Sequence, residues 1–169
     1  MAFDALYLSI CLNKATFKDA KIAKKAVNRA KEEQYCIKFG HLGDLKNLHL
    51  QVFADASLGN IEHQAETKSV MGAFIALANE DLRISPLSWK SKCIDKVAED
   101  IKSAETLAME NAIDDSVYLS SMISELYTGE NEKLLPIIVN EDSKGLIDSL
   151  YSTRKVKRKT MRVVISSLQ

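Results

Sequence analysis

Three acidic residues follow short runs that end a strand pattern or open a helix pattern: Phe53-Ala54-Asp55, Ser103-Ala104-Glu105 and Asn140-Glu141-Asp142. Carboxylates brought together from separate elements form a hard-oxygen ligand set for a divalent cation such as Mg²⁺. Two such ions about 4 Å apart support in-line displacement at a phosphodiester. Asp and Glu also stand at helix starts and strand ends to cap them, so by spacing alone caps and solvated acids are the simpler account of all three.

The elements that must position these acids are legible from hydrophobic periodicity. Leu48 to Phe53 alternates as a strand carrying Asp55 past its end, and Ala56 to Thr67 reads as a loop of small and polar residues. Val70 to Ala78 and Ile84 to Lys90 read as two more strands, joined through Asn79-Glu80-Asp81 as a hairpin, with Trp89 packed on the sheet. Between Ser103 and Leu126, apolar residues recur every three to four positions as in a long helix, with Glu105 in its first turn and Gly129 as its stop. Leu134 to Val139 is a continuous run suited to a buried central strand, with Pro136 tolerated near its start and Asp142 just beyond its end. Helices from Ser143 to about Tyr151 and from Val156 to Leu168 follow. The order of elements is that of an α/β fold.

Ahead of this region, Phe3 to Leu12 reads as a helix. A second helix opens at Thr16 as N-cap with Asp19 three residues on, and Ile22, Ala23, Ala26, Val27 and Ala30 make its apolar face. Its other face carries Lys18, Lys21, Lys24, Lys25, Arg29 and Lys31, read as a solvated surface with phosphate contact as the alternative. Tyr35 to Phe39 alternates as a short strand, and a boundary is expected near Leu45, between residues 1–45 and 46–169.

Composition bounds the function classes. A chain of 169 residues, 46% apolar and 27% charged, suits one soluble domain with a real core. Its 23 basic and 23 acidic side chains leave no bulk positive field, so a nucleic-acid partner needs a local basic patch. Cys11, Cys36 and Cys93 form no CxxC pair, which points to a reducing, intracellular setting (cytoplasm or nucleus) and away from a zinc or disulfide framework. The apolar run Ala5 to Leu12 is too short to span a bilayer, so no membrane role is expected. His41, His49 and His63 lack ligand spacing, Ser57 and Ser143 have no paired base and read as caps, and Glu110, Asp114 and Asp115 read as solvated.

The wording around the acids resembles a known family. Phe53-Ala54-Asp55-Ala56-Ser57, Lys68 to Phe74, Ser88-Trp89-Lys90-Ser91-Lys92, Val97-Ala98 with Ala104-Glu105 and Ala108, and Asp142-Ser143-Lys144-Gly145-Leu146 are similar, in order and spacing, to successive motifs of an RNase H domain. In this the chain resembles the RNase H domain of a copia-type LTR retrotransposon Pol polyprotein. Phe3-Asp4, Leu8-Ser9 and Asn13-Lys14-Ala15-Thr16 resemble the end of the reverse transcriptase that precedes it.

The resemblance implies an RNase H-like fold, a mixed sheet with flanking helices, in residues 46–169, preceded by a small helical remnant of the reverse transcriptase connection in 1–45. It implies hydrolysis of the RNA strand of RNA–DNA hybrids with two Mg²⁺ or Mn²⁺ ions. Asp55 would bridge both ions, and Glu105 and Asp142 would bind one each. Phosphates would be met by Lys90, Lys92, Arg154, Lys155, Lys157 and Arg158 without reading bases. The family carries a fourth acid in an "ADxLTK" segment after a fifth strand, and the chain reaches Gln169 before it, with Val164 where relatives often have another acid. The domain is therefore expected to lack the last strand and helix, to expose a sheet edge to the rest of a Pol polyprotein or to a second copy, and, if active, to cleave hybrids with impaired efficiency. The alternative is a catalytically silent RNase H-fold module binding nucleic acid or protein, or a relic fragment.

Overall fold

The computed structural model describes residues 2–33, 36–63, 66–128 and 135–152. Its first two elements are α1 (Ala2–Cys11) and α2 (Phe17–Glu32). Helix α2 starts where the Thr16/Asp19 spacing predicts, with a reciprocal capping box. The Thr16 N–H donates to Asp19 Oδ2 at 2.7 Å and the Asp19 N–H donates to Thr16 Oγ1 at 3.4 Å. Its half-buried Ile22, Ala23 and Ala26 lie on the side that packs on α1, which in turn reaches the sheet. Residues Cys36 to Phe39 form no strand, no described strand pairing with them, and Ile37 and Phe39 stay exposed. Tyr35 lies outside the described residues.

Four strands form one mixed sheet in the order β3-β2-β1-β4: β1 (Leu48–His63), β2 (Glu66–Asn79), β3 (Ile84–Cys93) and β4 (Ile137–Asn140). β1–β2 and β2–β3 are antiparallel and β1–β4 is parallel. The stretch from Ala56 to Thr67, expected as a loop, is instead mostly strand. β1 and β2 continue as a long hairpin across an irregularity between Ser57 and Ile61. Gly59, at φ 60°, takes up the extra residues, and its N–H reaches Ser69 Oγ at 3.4 Å. At the other end of β2, the Asn79 side chain accepts from the Arg83 N–H at 3.0 Å, closing the tight turn into β3.

Alternation along β1 separates two environments. Leu50, Val52, Ala54 and Ala56 face the core with Met71, Ala73 and Ile75 of β2. Against them lies α3 (Ile101–Thr128), the long helix expected from the periodicity. Ala104, Ala108 and Ala112 are fully buried, and their small side chains let the helix approach the sheet closely. A reciprocal pair starts α3: the Ser103 N–H donates to Asp100 Oδ1 at 2.7 Å, and the Asp100 N–H donates to Ser103 Oγ at 3.0 Å. Because α3 opens at Ile101, Glu105 falls just beyond the first turn rather than in it.

The opposite face of the sheet is exposed around Phe53 and Trp89, whereas Ala76 and Ala78, further along β2 on that face, are fully buried. Asn140, Phe53, Phe74 and Trp89 share one register row across all four strands, and Phe53 and Phe74 meet with centroids 6.1 Å apart. Trp89, expected to pack on the sheet, is 60% exposed, and Phe53 is 45% exposed. β4, expected as a buried central strand, lies instead at the edge of the sheet as described and is half-buried, with Ile138 44% exposed. Pro136 directly precedes β4, where its lack of an N–H costs nothing, and its carbonyl accepts from the Leu50 N–H at 2.8 Å. The chain then enters α4 (Lys144–Leu150), with Ser143 as N-cap accepting from the Leu146 N–H. The expected helix from Val156 to Leu168 lies outside the described residues, and no described helix is long and apolar enough to cross a membrane. The expectation of an α/β fold with a mixed sheet and flanking helices is borne out.

Candidate functional site

The parallel pairing of β1 and β4 decides which side chains meet. Phe53 sits opposite Asn140, so Ala54 and Asp55 run past the end of β4, just where the chain turns through Glu141 and Asp142 toward α4. Phe53, Ala54, Asp55, Asn140, Glu141 and Asp142 line an open cleft of about 410 Å³. Two acids picked from sequence, Asp55 and Asp142, therefore share one concavity, and both are exposed. Glu105 does not line it, yet its negative charge acts on the carboxyl of Glu141.

Glu141 was passed over in the sequence in favour of its neighbour, although an acid beside an acid at a strand end was the available signal. Half-burial pushes its carboxyl above the ordinary range, and the charges of Glu105, Asp142 and Asp55 push the same way. The Ser143 N–H, donating to Glu141 Oε1 at 3.0 Å, partly opposes this. Carboxylates from β1, α3 and the β4–α4 turn thus all act on Glu141 at one end of the sheet.

Asn140 and Gln51, also unmarked in the sequence, lock this geometry. The Asn140 side-chain amide donates to Gln51 Oε1 at 2.6 Å and to the Val52 carbonyl at 3.2 Å, stitching the end of β4 to β1. Gln51 Nε2 in turn lies 3.1 Å from His49 Nε2.

The donor chemistry suits a hard divalent cation, since the cleft offers carboxylate and amide oxygens and no sulfur. Among the described residues, no three acidic, histidine or cysteine side chains stand close enough together to hold one ion. Asp55, Glu105 and Asp142 are gathered at one end of the sheet without closing into a ligand cluster. Mutual repulsion of unneutralised carboxylates opposes such closure.

The basic candidates divide. Lys90 of β3 is ion-paired with Asp115 of α3, so Asp115 is not simply solvated. Glu110 likewise pairs with Lys96 at 3.2 Å. Lys92 lies 3.7 Å from Asp95. Arg154, Lys155, Lys157 and Arg158 lie outside the described residues.

No protein-family model and no curated protein match the chain. Two solved structures are similar to it. One is LC11-RNase H1 in complex with an RNA/DNA hybrid, at 15% identity and a TM-score of 0.46, with 70% of this chain and 72% of that chain covered. The other is the native prototype foamy virus protease–reverse transcriptase, at 14% identity and a TM-score of 0.44, with 79% of this chain covered but only 17% of that one.

Proposed function

We propose that residues 46–169 act as an RNase H-like nuclease domain that hydrolyses the RNA strand of an RNA–DNA hybrid. The observation that carries this is the shared cleft of Asp55 and Asp142, with Glu141 beside them and the charge of Glu105 reaching it. The ordered motifs around these acids support it independently. In this reading residues 1–45 derive from the end of a reverse transcriptase, the whole from a copia-type Pol polyprotein, and the protein works inside the cell.

Asp55, Glu105 and Asp142 would hold Mg²⁺ or Mn²⁺, and Glu141 adds a fourth carboxylate at the same place. When bound, two such ions would activate the attacking water and stabilise the leaving 3′ oxygen. The protein's own work is positioning. Asn140 and Gln51 keep the β4 end in register with β1, so that Asp55 and Asp142 face one volume. The negative charges of Asp55, Glu105 and Asp142 that act on Glu141 also favour the uptake of cations there.

The test is cleavage of an end-labelled RNA–DNA hybrid in Mg²⁺ or Mn²⁺ by the native chain and by Asp55→Asn. Metal-dependent cleavage that disappears in the variant supports the nuclease. Absence of cleavage by the native chain sinks it and leaves the catalytically silent binding module.

A further inference from the structure

We infer that the outer side of α2 is a second nucleic-acid contact surface, one that grips the phosphate backbone of the hybrid away from the acidic cleft; this rests on the nucleic-acid reading above. At about 3.6 residues per turn, Lys18, Lys21, Lys24, Lys25, Arg29 and Lys31 fall on one side of the helix, with Ala23 and Ala26 on the other and Ile22 at the border beside Lys18 and Arg29. All six cations are exposed. The acids of α2 sit at its ends, Asp19 in the N-terminal capping box and Glu32 as the last residue. Among the described residues, only Arg29 of the six lies within ion-pair distance of a carboxylate, Asp4 at 3.7 Å, while Lys21 rests over the Phe17 ring at 4.9 Å.

A merely solvated helix face mixes signs at i, i+3 and i, i+4, because opposite neighbours stabilise it and like neighbours destabilise it. Here Lys18/Lys21, Lys21/Lys24, Lys21/Lys25 and Lys25/Arg29 are all like-charged neighbours. The repulsion is relieved by an extended polyanion, and Lys18 to Arg29 covers about 16 Å of helix, enough for successive phosphates. The observations favour nucleic acid over a membrane surface, because Ile22, Ala23 and Ala26 on the apolar side of α2 are half-buried, and the exposed Val27, Ala30 and Phe17 leave little apolar surface to enter a bilayer. The chain has no net positive charge, so such a local surface is where a phosphate backbone would find attraction.

The experiment measures binding of a fluorescein-labelled RNA–DNA hybrid in Ca²⁺ across a salt series. It compares the native chain, a variant with Lys18, Lys21, Lys24 and Lys25 changed to Gln, and a charge-matched variant with Lys38, Lys46, Arg83 and Lys96 changed to Gln. Gln keeps helix propensity, and circular dichroism checks that α2 persists. We expect the α2 variant to bind at least tenfold more weakly, with a log–log salt slope shallower by about 0.9 for each phosphate contact removed, and the matched variant to stay within about threefold of native. Equal losses in both variants, or no loss in either, overturn the inference. So does native-level hybrid binding by the α2 variant together with lost binding to phosphatidylserine vesicles. The cleavage reading fails separately: hybrid held through α2 but never cut leaves this surface standing, and cutting by the α2 variant with native salt dependence removes this surface alone.

Discussion

The side-chain amide of Asn140, the last residue of β4, donates to the side chain of Gln51 on β1 at 2.6 Å, joining residues far apart in the chain. With its second bond to the Val52 carbonyl at 3.2 Å, this contact sets where the Glu141–Asp142 turn stands relative to Asp55.

Asn140→Ala removes both bonds and frees the end of a short strand. We expect a loss of about 1–2 kcal/mol, a fall of roughly 2–8 °C in Tm, and a drop in hybrid cleavage larger than that in hybrid binding. Thermal melts and single-turnover cleavage on the same preparation measure this, and unchanged cleavage would remove Asn140 from any positioning role.

Glu141 carries a pH signature. Its carboxyl is raised in the folded chain by burial and by neighbouring acids, so its contribution to stability is fully present below the unfolded value, about 4.3, and is lost as pH rises through the folded value. Glu141→Gln should therefore raise the metal-free Tm at pH 7 and flatten its decline from acid toward neutral pH. Discounted for solvent screening, the gain is under about 1 kcal/mol. A Tm series against pH decides it, and a lower Tm for the variant at pH 7 contradicts the assignment.

Divalent metal should stabilise the native chain. At tenfold excess over Kd the expected gain is about 1.4 kcal/mol, lost in Asp55→Asn and in Asp142→Asn. Differential scanning fluorimetry with Mg²⁺ and Mn²⁺ reads it, and equal shifts in all three proteins place the ions elsewhere.

The α2 cap predicts the opposite pH behaviour. The side-chain and backbone donors of Thr16 hold the Asp19 carboxyl below its ordinary range. Its stabilisation is present above the unfolded value, about 3.9, and is lost as pH falls through the lower folded value. Asp19→Asn should remove that acid-limb loss of helicity, and Thr16→Ala should cost about 1 kcal/mol. Far-UV circular dichroism against pH checks both.

Ala108→Leu forces a larger side chain between α3 and the sheet, where Ala108 is fully buried. A cost of about 1–3 kcal/mol is expected. Because Glu105 lies one turn earlier on the same helix, metal-dependent stabilisation should weaken as well. A variant that loses stability but keeps the full metal shift would show that α3 does not position the acids.

Local chemistry was legible wherever a residue acts on its near neighbours in the chain. The Thr16/Asp19 cap, the alternation of β1, the Ala104/Ala108/Ala112 stripe of α3 and the Ser143 cap follow from propensity and period. Where pairing partners decide, the reading missed. Ala56 to His63 became strand because β2 supplies a ladder that outweighs small, polar residues. Cys36 to Phe39 stayed irregular, with no strand among the described residues pairing alongside.

The sequence by itself determined the acids, Asp55, Glu105 and Asp142, and the elements that carry them, because side-chain type and hydrophobic period act within a few residues. Only the tertiary structure decided that parallel pairing of β4 with β1 brings Asp142 to Asp55, that Asn140 and Gln51 hold that pairing, and that Glu141 joins the acids with its carboxyl raised. It also decided that Lys90 is held by Asp115. These are long-range relations. They depend on which surfaces meet once the core of β1, β2 and α3 has closed, and that sum of burial and pairing is not written in any one segment.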